Sequence, residues 1–281
     1  MLSKSSKKTL KEYGRGIIGG LLFSLPLLYT MEVWWTGFTV PPSYLLVCII
    51  VTFFLLLGFN TYSGMRKDSS FFDVFWDSIE EIALALVVSF LFLLLIRKIG
   101  FTMSFYEIAG KVIVESMIVA IGISVGTAQM GQSNNEDSGM DGEDQGKKEE
   151  NNKFVKLIVL SVCGAVLFSS SVAPTEEILM IAIQSTISRL LFMIVISLVL
   201  IFVTLYFSNF KGSKKEKPEF MEMFFQATLC YLSALIVSYG FLYFFGRVAG
   251  HGLFIIIAQV IVLGVPAAIG AAVGRLLIKG N

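Results

Sequence analysis

Two glutamates lie inside apolar runs of the sequence where few charged residues occur. Glu32 is the only charged residue of GGLLFSLPLLYTMEVWW, and Glu177, with Glu176 beside it, lies in VAPTEEI. Glutamate is rarely buried without a partner, and inside a bilayer it marks a functional site by default. Glu32 comes 17 residues after Arg15, which along a straight helix is roughly 25 Å, so we expect it near the outer membrane surface.

A proline precedes each of these glutamates, Pro26 before Glu32 and Pro174 before Glu177. A proline in a membrane helix leaves a backbone carbonyl without its donor. Carbonyls and carboxylates are the ligands of hard cations, so the pattern predicts a paired acidic site for a small cation. The alternative is that both glutamates simply face lipid headgroups and water.

Three more glutamates occur within apolar segments of the first half only: Glu80, Glu81 and Glu115. They are candidates for proton carriers or a cation relay, since an isolated buried carboxylate readily changes its protonation. Lys111 is four residues before Glu115, which is pairing distance on a helix. A neutralised Lys111–Glu115 pair is therefore the alternative for Glu115.

Two acidic residues, Asp73 and Glu222, lie at the starts of predicted helices. We expect them at the cytoplasmic mouth of a pathway, although ordinary interfacial charges explain them equally well.

The sequence contains few residues suited to hydrolytic catalysis or to binding a metal or cofactor. The one histidine, His251, lies in a glycine-rich turn, and the three cysteines are far apart within apolar runs. No zinc-ligand spacing, nucleophile elbow or phosphate-binding glycine motif occurs. We therefore predict that the protein is not an enzyme and has no metal centre and no cofactor.

Composition places the chain among polytopic membrane proteins. It is 55% hydrophobic and 15% charged, with a mean hydropathy of +0.77, whereas soluble domains contain about 25% charged residues. A membrane helix needs about 20 mostly apolar residues. By that rule the fold is all-α with eight transmembrane helices: 15–35, 43–62, 72–96, 105–128, 154–174, 188–208, 221–245 and 253–278.

The two halves of the chain are related by an internal repeat. GGLLFSLPLLYTMEV aligns with GAVLFSSSVAPTEEI, FFDVF with FMEMF, and KVIVESMIVAIGISVG with QVIVLGVPAAIGAAVG. In this alignment Glu32 pairs with Glu177 and Asp73 with Glu222, whereas the partner of Glu115 is Leu263. Four helices per half predict two tandem, parallel repeats with a pseudo-twofold axis along the membrane normal, and carboxylates at the repeat interface.

Small residues recur one turn apart in the last helix of each half. Gly122 and Gly126 in the first half align with Gly270 and Gly274 in the second. This small-xxx-small spacing predicts close helix packing; a glycine-lined pore wall is the other interpretation.

The charged residues divide the chain and orient it. We expect a cytoplasmic tail at 1–14, repeats at 15–130 and 153–281, and a disordered acidic linker at 131–152. Most lysines and arginines then fall on one side, which predicts that both termini are cytoplasmic and that the protein is multi-pass in the bacterial inner membrane.

The stretches YGRGIIGGLLFSLPLLYTMEVWW and VAPTEEI resemble a bacterial family of integral membrane proteins of unknown function, domain of unknown function 2391. The resemblance covers most of the chain outside the acidic linker. It implies a polytopic membrane protein and nothing about activity.

Two functions from different classes follow from the residues. The first is a cation- or proton-conducting channel or carrier that uses the intramembrane carboxylates. The second is a non-transporting membrane sensor or assembly partner whose acidic groups are structural. The partners expected are the lipid bilayer and a small cation or proton, with no nucleic acid; whether the chain works alone or as a homo-oligomer stays open.

Overall fold

The computed structural model describes residues 4–63, 71–100, 102–130, 146–208 and 220–276. These residues form ten helices and divide into two compact units, with the division between Glu143 and Asp144. Unit 1 contains α1 to α5 and unit 2 contains α6 to α10. The first five helices are α1 (Lys4–Leu28), α2 (Met31–Thr39), α3 (Pro42–Ser63), α4 (Phe71–Leu95) and α5 (Phe105–Met130). The second five are α6 (Gly146–Ser169), α7 (Glu177–Gln184), α8 (Ile187–Ser208), α9 (Phe220–Phe244) and α10 (Leu253–Leu276).

Each unit has the same order of elements: one long helix, one short helix and three long helices. Within each unit the last helix packs against all the preceding helices of that unit. The four-helix repeat predicted from the sequence is thus a five-helix unit, because the first predicted helix of each half is two helices.

Six predicted membrane helices agree with observed ones to within two residues, namely α3, α4, α5, α8, α9 and α10. These six are also the helices, among the described residues, that are long and apolar enough to cross a membrane. The bent pair α1 and α2 raises the number to seven if it forms one span. Eight spans are therefore not confirmed.

The predicted helix 15–35 is wrong because the chain turns by 87° between α1 and α2. Pro26 lies in the last turn of α1, where its missing N–H weakens the helix, and the chain turns at Tyr29 and Thr30. The Thr30 hydroxyl donates to the Pro26 carbonyl at 2.7 Å. The depth of Glu32 estimated along a straight helix is consequently not valid.

The predicted helix 154–174 is also wrong at its C-terminal end. Helix α6 ends at Ser169, and the turn that follows leads through Pro174 into the eight-residue helix α7. The apolar part of α6, Phe154–Ser169, is shorter than a membrane span. The turn residues 170–176, SSVAPTE, are more polar than the helices on either side, but a length rule of about 20 apolar residues placed the helix end inside them, at Pro174.

The acidic linker predicted at 131–152 lies mostly outside the described residues. Its last part is helical, because α6 begins at Gly146. Residues 146–152 thus belong to α6, while 131–145 and the chain ends at 1–3 and 277–281 lie outside the described residues, so the linker as a whole stays a prediction.

Glycines bring the first and last helices of each unit into backbone contact. In unit 1 a Cβ added at Gly19 would lie 2.8 Å from the carbonyl oxygen of Gly122 and would overlap the Cα of Gly126. In unit 2 a Cβ at Gly164 would lie 2.8 Å from the Cα of Gly274 and would overlap the carbonyl of Gly270. The same glycine contact therefore holds α1 on α5 and α6 on α10.

The helices before the last loop of each unit end in the same way. Arg97 after α4 and Gly246 after α9 both have positive φ, 58° and 70°. The next residue then donates its N–H back into the helix, from Lys98 to the Leu93 carbonyl and from Arg247 to the Leu242 carbonyl, each at 2.8 Å. This is the usual left-handed helix end, in which glycine is preferred.

Candidate functional site

A cluster of polar side chains joins three helices of unit 1. The Asn60 amide donates to the Glu81 carboxylate at 2.8 Å and to the Ser78 hydroxyl at 3.2 Å. The Ser124 hydroxyl donates to the Asn60 amide oxygen at 2.6 Å. Asn60 is thus satisfied on both sides of its amide, and it ties α3 to α4 and α5.

The same positions in unit 2 are apolar. By the alignment of the two halves, Asn60, Ser78, Glu81 and Ser124 correspond to Leu205, Ala227, Cys230 and Ala272. All four belong to the buried hydrophobic core of unit 2. Unit 1 therefore has a polar cluster where unit 2 has a packed core.

Glu115 is the most deeply buried carboxyl group that the structure describes. Its side chain has 0% exposure, and neither carboxylate oxygen has a hydrogen-bond partner. Burying a polar group without a partner costs about 1–3 kcal/mol, and an uncompensated charge costs far more. The group therefore needs a proton or a cation as its partner.

The position of Glu115 on α5 shows what it faces. It comes seven residues before Gly122, which contacts α1, and four residues after Lys111, whose backbone contacts Gly37 in α2. Both separations keep residues on one face of a helix. Glu115 therefore lies on the side of α5 toward α1 and α2, between the levels at which these helices touch it, where the chain bends.

Lys111 does not pair with Glu115, contrary to the expectation from spacing. Its ammonium lies 2.6 Å from the Glu107 carboxylate and 3.2 Å from the Lys98 carbonyl oxygen. Both i−4 and i+4 partners were available to it. The Glu107 pair forms because side chains in a helix lean toward its N-terminus, and a glutamate four residues before a lysine is the favoured orientation.

Glu81 and Glu115 point to different places. Glu81 is bonded in the cluster that includes Ser124, nine residues after Glu115 on α5, and nine residues correspond to opposite faces of a helix and about 13 Å along it. Glu80, its neighbour on α4, is exposed. The structure thus does not bring the carboxylates of unit 1 into one group.

Glu32 and Glu177 occupy equivalent places at the starts of the short helices. Glu32 is half-buried in the first turn of α2, and Glu177 is exposed in the first turn of α7. The backbone N–H of Glu177 and the Thr175 hydroxyl hold the pKa of Glu177 below its ordinary value, with a smaller contribution from Arg247. Helix starts favour such negative charge.

The second bend carries an ion pair as well. Glu176, three-quarters exposed, has its carboxylate 3.6 Å from the Arg247 guanidinium, and the same guanidinium donates to the Pro174 carbonyl. The Pro26 and Pro174 carbonyls therefore already accept hydrogen bonds, from Thr30 and Arg247. A cation at either bend would have to compete with these donors.

The remaining predicted residues lie at the helix starts. Asp73 in the first turn of α4 and Glu222 in the first turn of α9 are both exposed. Glu222 accepts a hydrogen bond from Gln226 at 2.9 Å. Groups of three or more His, Cys, Asp or Glu side chains able to hold a metal do not occur within the described parts of the chain.

Sequence reasoning did not identify Gln259, which is 1% exposed with both amide atoms unpartnered. It is the counterpart of Lys111 in unit 2. Each unit thus buries an unsatisfied polar group on the same face of its last helix, one turn apart in the aligned positions.

The arrangement of buried carboxyls among apolar spans is that of a membrane protein, and comparison with known sequences gives the same class. A family model described as "Putative integral membrane protein (DUF2391)" matches residues 12–278. The chain belongs to this family. This confirms the resemblance noted in the sequence, and the protein is an integral membrane protein with several spans. No curated protein and no solved structure matches it.

Proposed function

We propose that this member of the family moves protons or small cations across its membrane, and that Glu115 is the group that exchanges them. The observation that carries this proposal is the complete burial of Glu115 with both oxygens unpartnered. A carboxyl group in such a place must either hold a proton or, when ionised, have a cation beside it. A group that must hold a cation, and that has no fixed partner, is suited to binding and releasing one.

The difference between the two units supports a transport role. A packed core needs no carboxyl groups, as unit 2 illustrates, because it has Leu263 in the place of Glu115 and Cys230 in the place of Glu81. Unit 1 keeps polar groups at the cost of stability. In a membrane such costly groups usually serve ion or proton movement.

The other acidic residues take supporting roles in this proposal. Glu81 is a second station for the cation, whereas Glu32, Glu176, Glu177, Asp73 and Glu222 attract cations toward the chain. No chemical conversion is involved, so the proposed role is not enzymatic and uses no cofactor.

The test is flux through the full chain reconstituted in liposomes. Trapped pH-sensitive and sodium- or potassium-sensitive dyes report proton and cation entry under an imposed gradient. We expect wild type to conduct one of these ions and Glu115→Gln to lower the flux by about 100-fold or more, the lower end of what a positioned proton carrier contributes. Glu149→Gln in the hydrophilic start of α6 is the matched control and should conduct like wild type.

A structural role is the second candidate function, and the Glu81 cluster favours it. Its hydrogen bonds join α3, α4 and α5 as an interhelical fastening would. If neither protons nor sodium nor potassium cross with wild type, and Glu115→Gln changes nothing, the transport proposal is wrong and the acidic groups are structural.

A further inference from the structure

Three charged residues follow one another at four-residue intervals along one face of α5. They are Glu107, Lys111 and Glu115. The first two form an ion pair of 2.6 Å, in which Lys111 is 7% and Glu107 29% exposed. The third, one turn deeper, has no partner.

Building on the proposed function, we infer that the ion exchanged at Glu115 is the proton and that Lys111 is its tethered counter-ion. Lys111 pairs with Glu107 while Glu115 holds its proton, and turns to Glu115 when the proton leaves. In the release step the O–H bond of Glu115 breaks, its electron pair stays on the carboxylate, and water accepts the proton. The reverse step returns Lys111 to Glu107.

The exchange needs only side-chain movement. Lys111 is four residues from each carboxyl, which is pairing distance in both directions along a helix. Its ammonium is a compact charge on a flexible four-carbon stem with three donors. In the structure Lys111 pairs with Glu107. Glu115 is therefore the alternative partner of a lysine that is already buried.

A tethered ammonium also decides which cation the site takes. Sodium or potassium at Glu115 would lie one helical turn from the Lys111 charge in a medium of low dielectric, where like charges repel strongly. A bound proton is held by a covalent O–H bond within one neutral carboxyl group, whereas a metal ion stays a separate charge held only by electrostatic attraction. The site is therefore compatible with proton exchange and opposed to metal cations.

The move of Lys111 would be transmitted to the surrounding elements. Its ammonium donates to the Lys98 carbonyl in the loop between α4 and α5 and lies 5.4 Å from the Phe38 ring of α2. Leaving Glu107 releases both contacts. Proton release at Glu115 is thus coupled to the loop and to the short helix of the bend.

Other titratable groups on the elements packed against α5 do not provide this counter-ion. Helix α3 has no charged residue, and its Cys48 thiol lies 3.7 Å from the Met117 sulfur. Helix α4 has its four carboxylates in its first half, with Glu81 bonded near Ser124 on the opposite face of α5.

The remaining charged groups with described side chains are Arg15 of α1, Glu32 of α2, and Arg97 and Lys98 of the loop. Arg15 precedes Gly16, which packs near Ile123 at the other end of α5, and Lys98 lies over the Trp34 ring at 4.1 Å.

Unit 2 lacks the whole arrangement. The counterparts of the three residues are Ile255, Gln259 and Leu263. A charge relay at this face is therefore specific to unit 1, and the residues of unit 2 supply natural replacements for the test.

The experiment uses the liposome assay with pH-dependent proton flux and parallel sodium and potassium flux. Lys111→Gln, which takes the unit 2 residue, should move the pH midpoint of proton flux upward, because an ionised Glu115 loses its counter-ion. Glu107→Gln should move it downward, because Lys111 then has no competing partner. Lys111→Arg should restore the wild-type midpoint, and Arg189→Gln, an exposed cation on α8, should leave it unchanged.

Opposite shifts from two residues of one ion pair are not expected from a structural defect, which would alter both variants alike. Proton flux with either variant unshifted overturns the inference. If Lys111→Gln does not fold, Glu107→Gln alone decides, since Lys111 stays in place. Sodium or potassium flux that depends on Glu115, without proton flux, overturns the inference and leaves the proposed function standing. No flux of any ion overturns both.

Discussion

Lys98 of unit 1 and Arg247 of unit 2 occupy equivalent places and both reach the bend of their own unit. Each follows a residue with positive φ at the end of the fourth helix. Lys98 lies over the Trp34 ring of α2 at 4.1 Å, and Arg247 donates to the Pro174 carbonyl before α7. A basic side chain from the last loop therefore fastens the bent segment in both units.

Replacing Arg247 should loosen the second bend. Arg247→Leu removes the donor to the Pro174 carbonyl, and a hydrogen bond from a charged group contributes about 1.5–3 kcal/mol. Glu176→Gln should cost under about 1 kcal/mol, because that ion pair is exposed. Hydrogen exchange of residues 170–176 in detergent measures both. Equal protection in Arg247→Leu and wild type would contradict the prediction.

The glycine contact between α1 and α5 gives a second prediction. Gly19→Ala places a methyl group against Gly122 and Gly126, and overpacking costs about 1–3 kcal/mol. Gly240→Ala on α9 is the matched control, since nothing lies within 4 Å of its added Cβ, and alanine there should stabilise the helix by about 0.5–1 kcal/mol. The midpoint temperature of thermal unfolding in detergent should therefore shift in opposite directions in the two variants. A Gly19→Ala midpoint at or above that of wild type would contradict the prediction.

The Asn60 cluster gives a third prediction. Asn60→Ala leaves Glu81 and Ser124 without their shared partner in a mostly buried place, which should destabilise the protein by about 2–4 kcal/mol. Thr204→Val, whose hydroxyl is exposed and bonds within its own helix, is the control. Urea unfolding in mild detergent measures the difference. If Asn60→Ala is as stable as the control, the hydrogen bonds contribute nothing to the packing of α3, α4 and α5.

Periodicity and length predicted six of the long helices closely because an apolar run of about 20 residues has few alternatives in a membrane. They failed at the two bends. The first bend needs only Pro26 near a helix end and the Thr30 hydroxyl to take up its carbonyl, and neither interrupts the hydrophobic pattern. At the second bend the polar run SSVAPTE does interrupt it, but the length rule made no use of that run. The recurrence of Thr30 and Thr175 in the aligned halves was the available signal.

The residues of the candidate site were likewise only partly predictable from the sequence. Glu115 and Glu81 stood out as charges in apolar runs, but Asn60, Ser78 and Ser124 are ordinary polar residues whose role depends on which helices meet. A comparison of the two halves could have found them, because their counterparts are all apolar. Distance along the chain left the partner of Lys111 open, since Glu107 and Glu115 are equally far from it, but the favoured order of glutamate before lysine on a helix was a signal for Glu107.

Glu177 gives a prediction about pH. Its pKa lies below the ordinary value of 4.5 because of the bonds from its own N–H and from the Thr175 hydroxyl. The ionised form is the one that these bonds favour. The start of α7 is therefore stabilised above about pH 4.5 and loses this stabilisation as the pH falls through the lowered pKa.

Removal of one donor tests that explanation. Thr175→Val should raise the pKa of Glu177 toward 4.5, whereas Thr204→Val should leave it at the wild-type value. Carbon-13 NMR of labelled glutamate carboxyl groups in detergent follows the titration. An unchanged midpoint in Thr175→Val would mean that the hydroxyl proton goes to its other acceptor, the Val172 carbonyl at 2.8 Å.

Glu32, at the bend of unit 1, should act on transport through its electric field. One unit charge in water at about 10 Å contributes about 0.4 kcal/mol, or about twofold in local cation concentration. The screening length is about 30 Å at 10 mM salt and about 8 Å at 150 mM. Glu32→Gln, in the same unit as Glu115, should lower flux about twofold at 10 mM salt and change little at 150 mM. Equal losses of flux at both salt concentrations would instead mean that the ion binds the Glu32 carboxylate directly, and no loss at either would mean that Glu32 takes no part in transport.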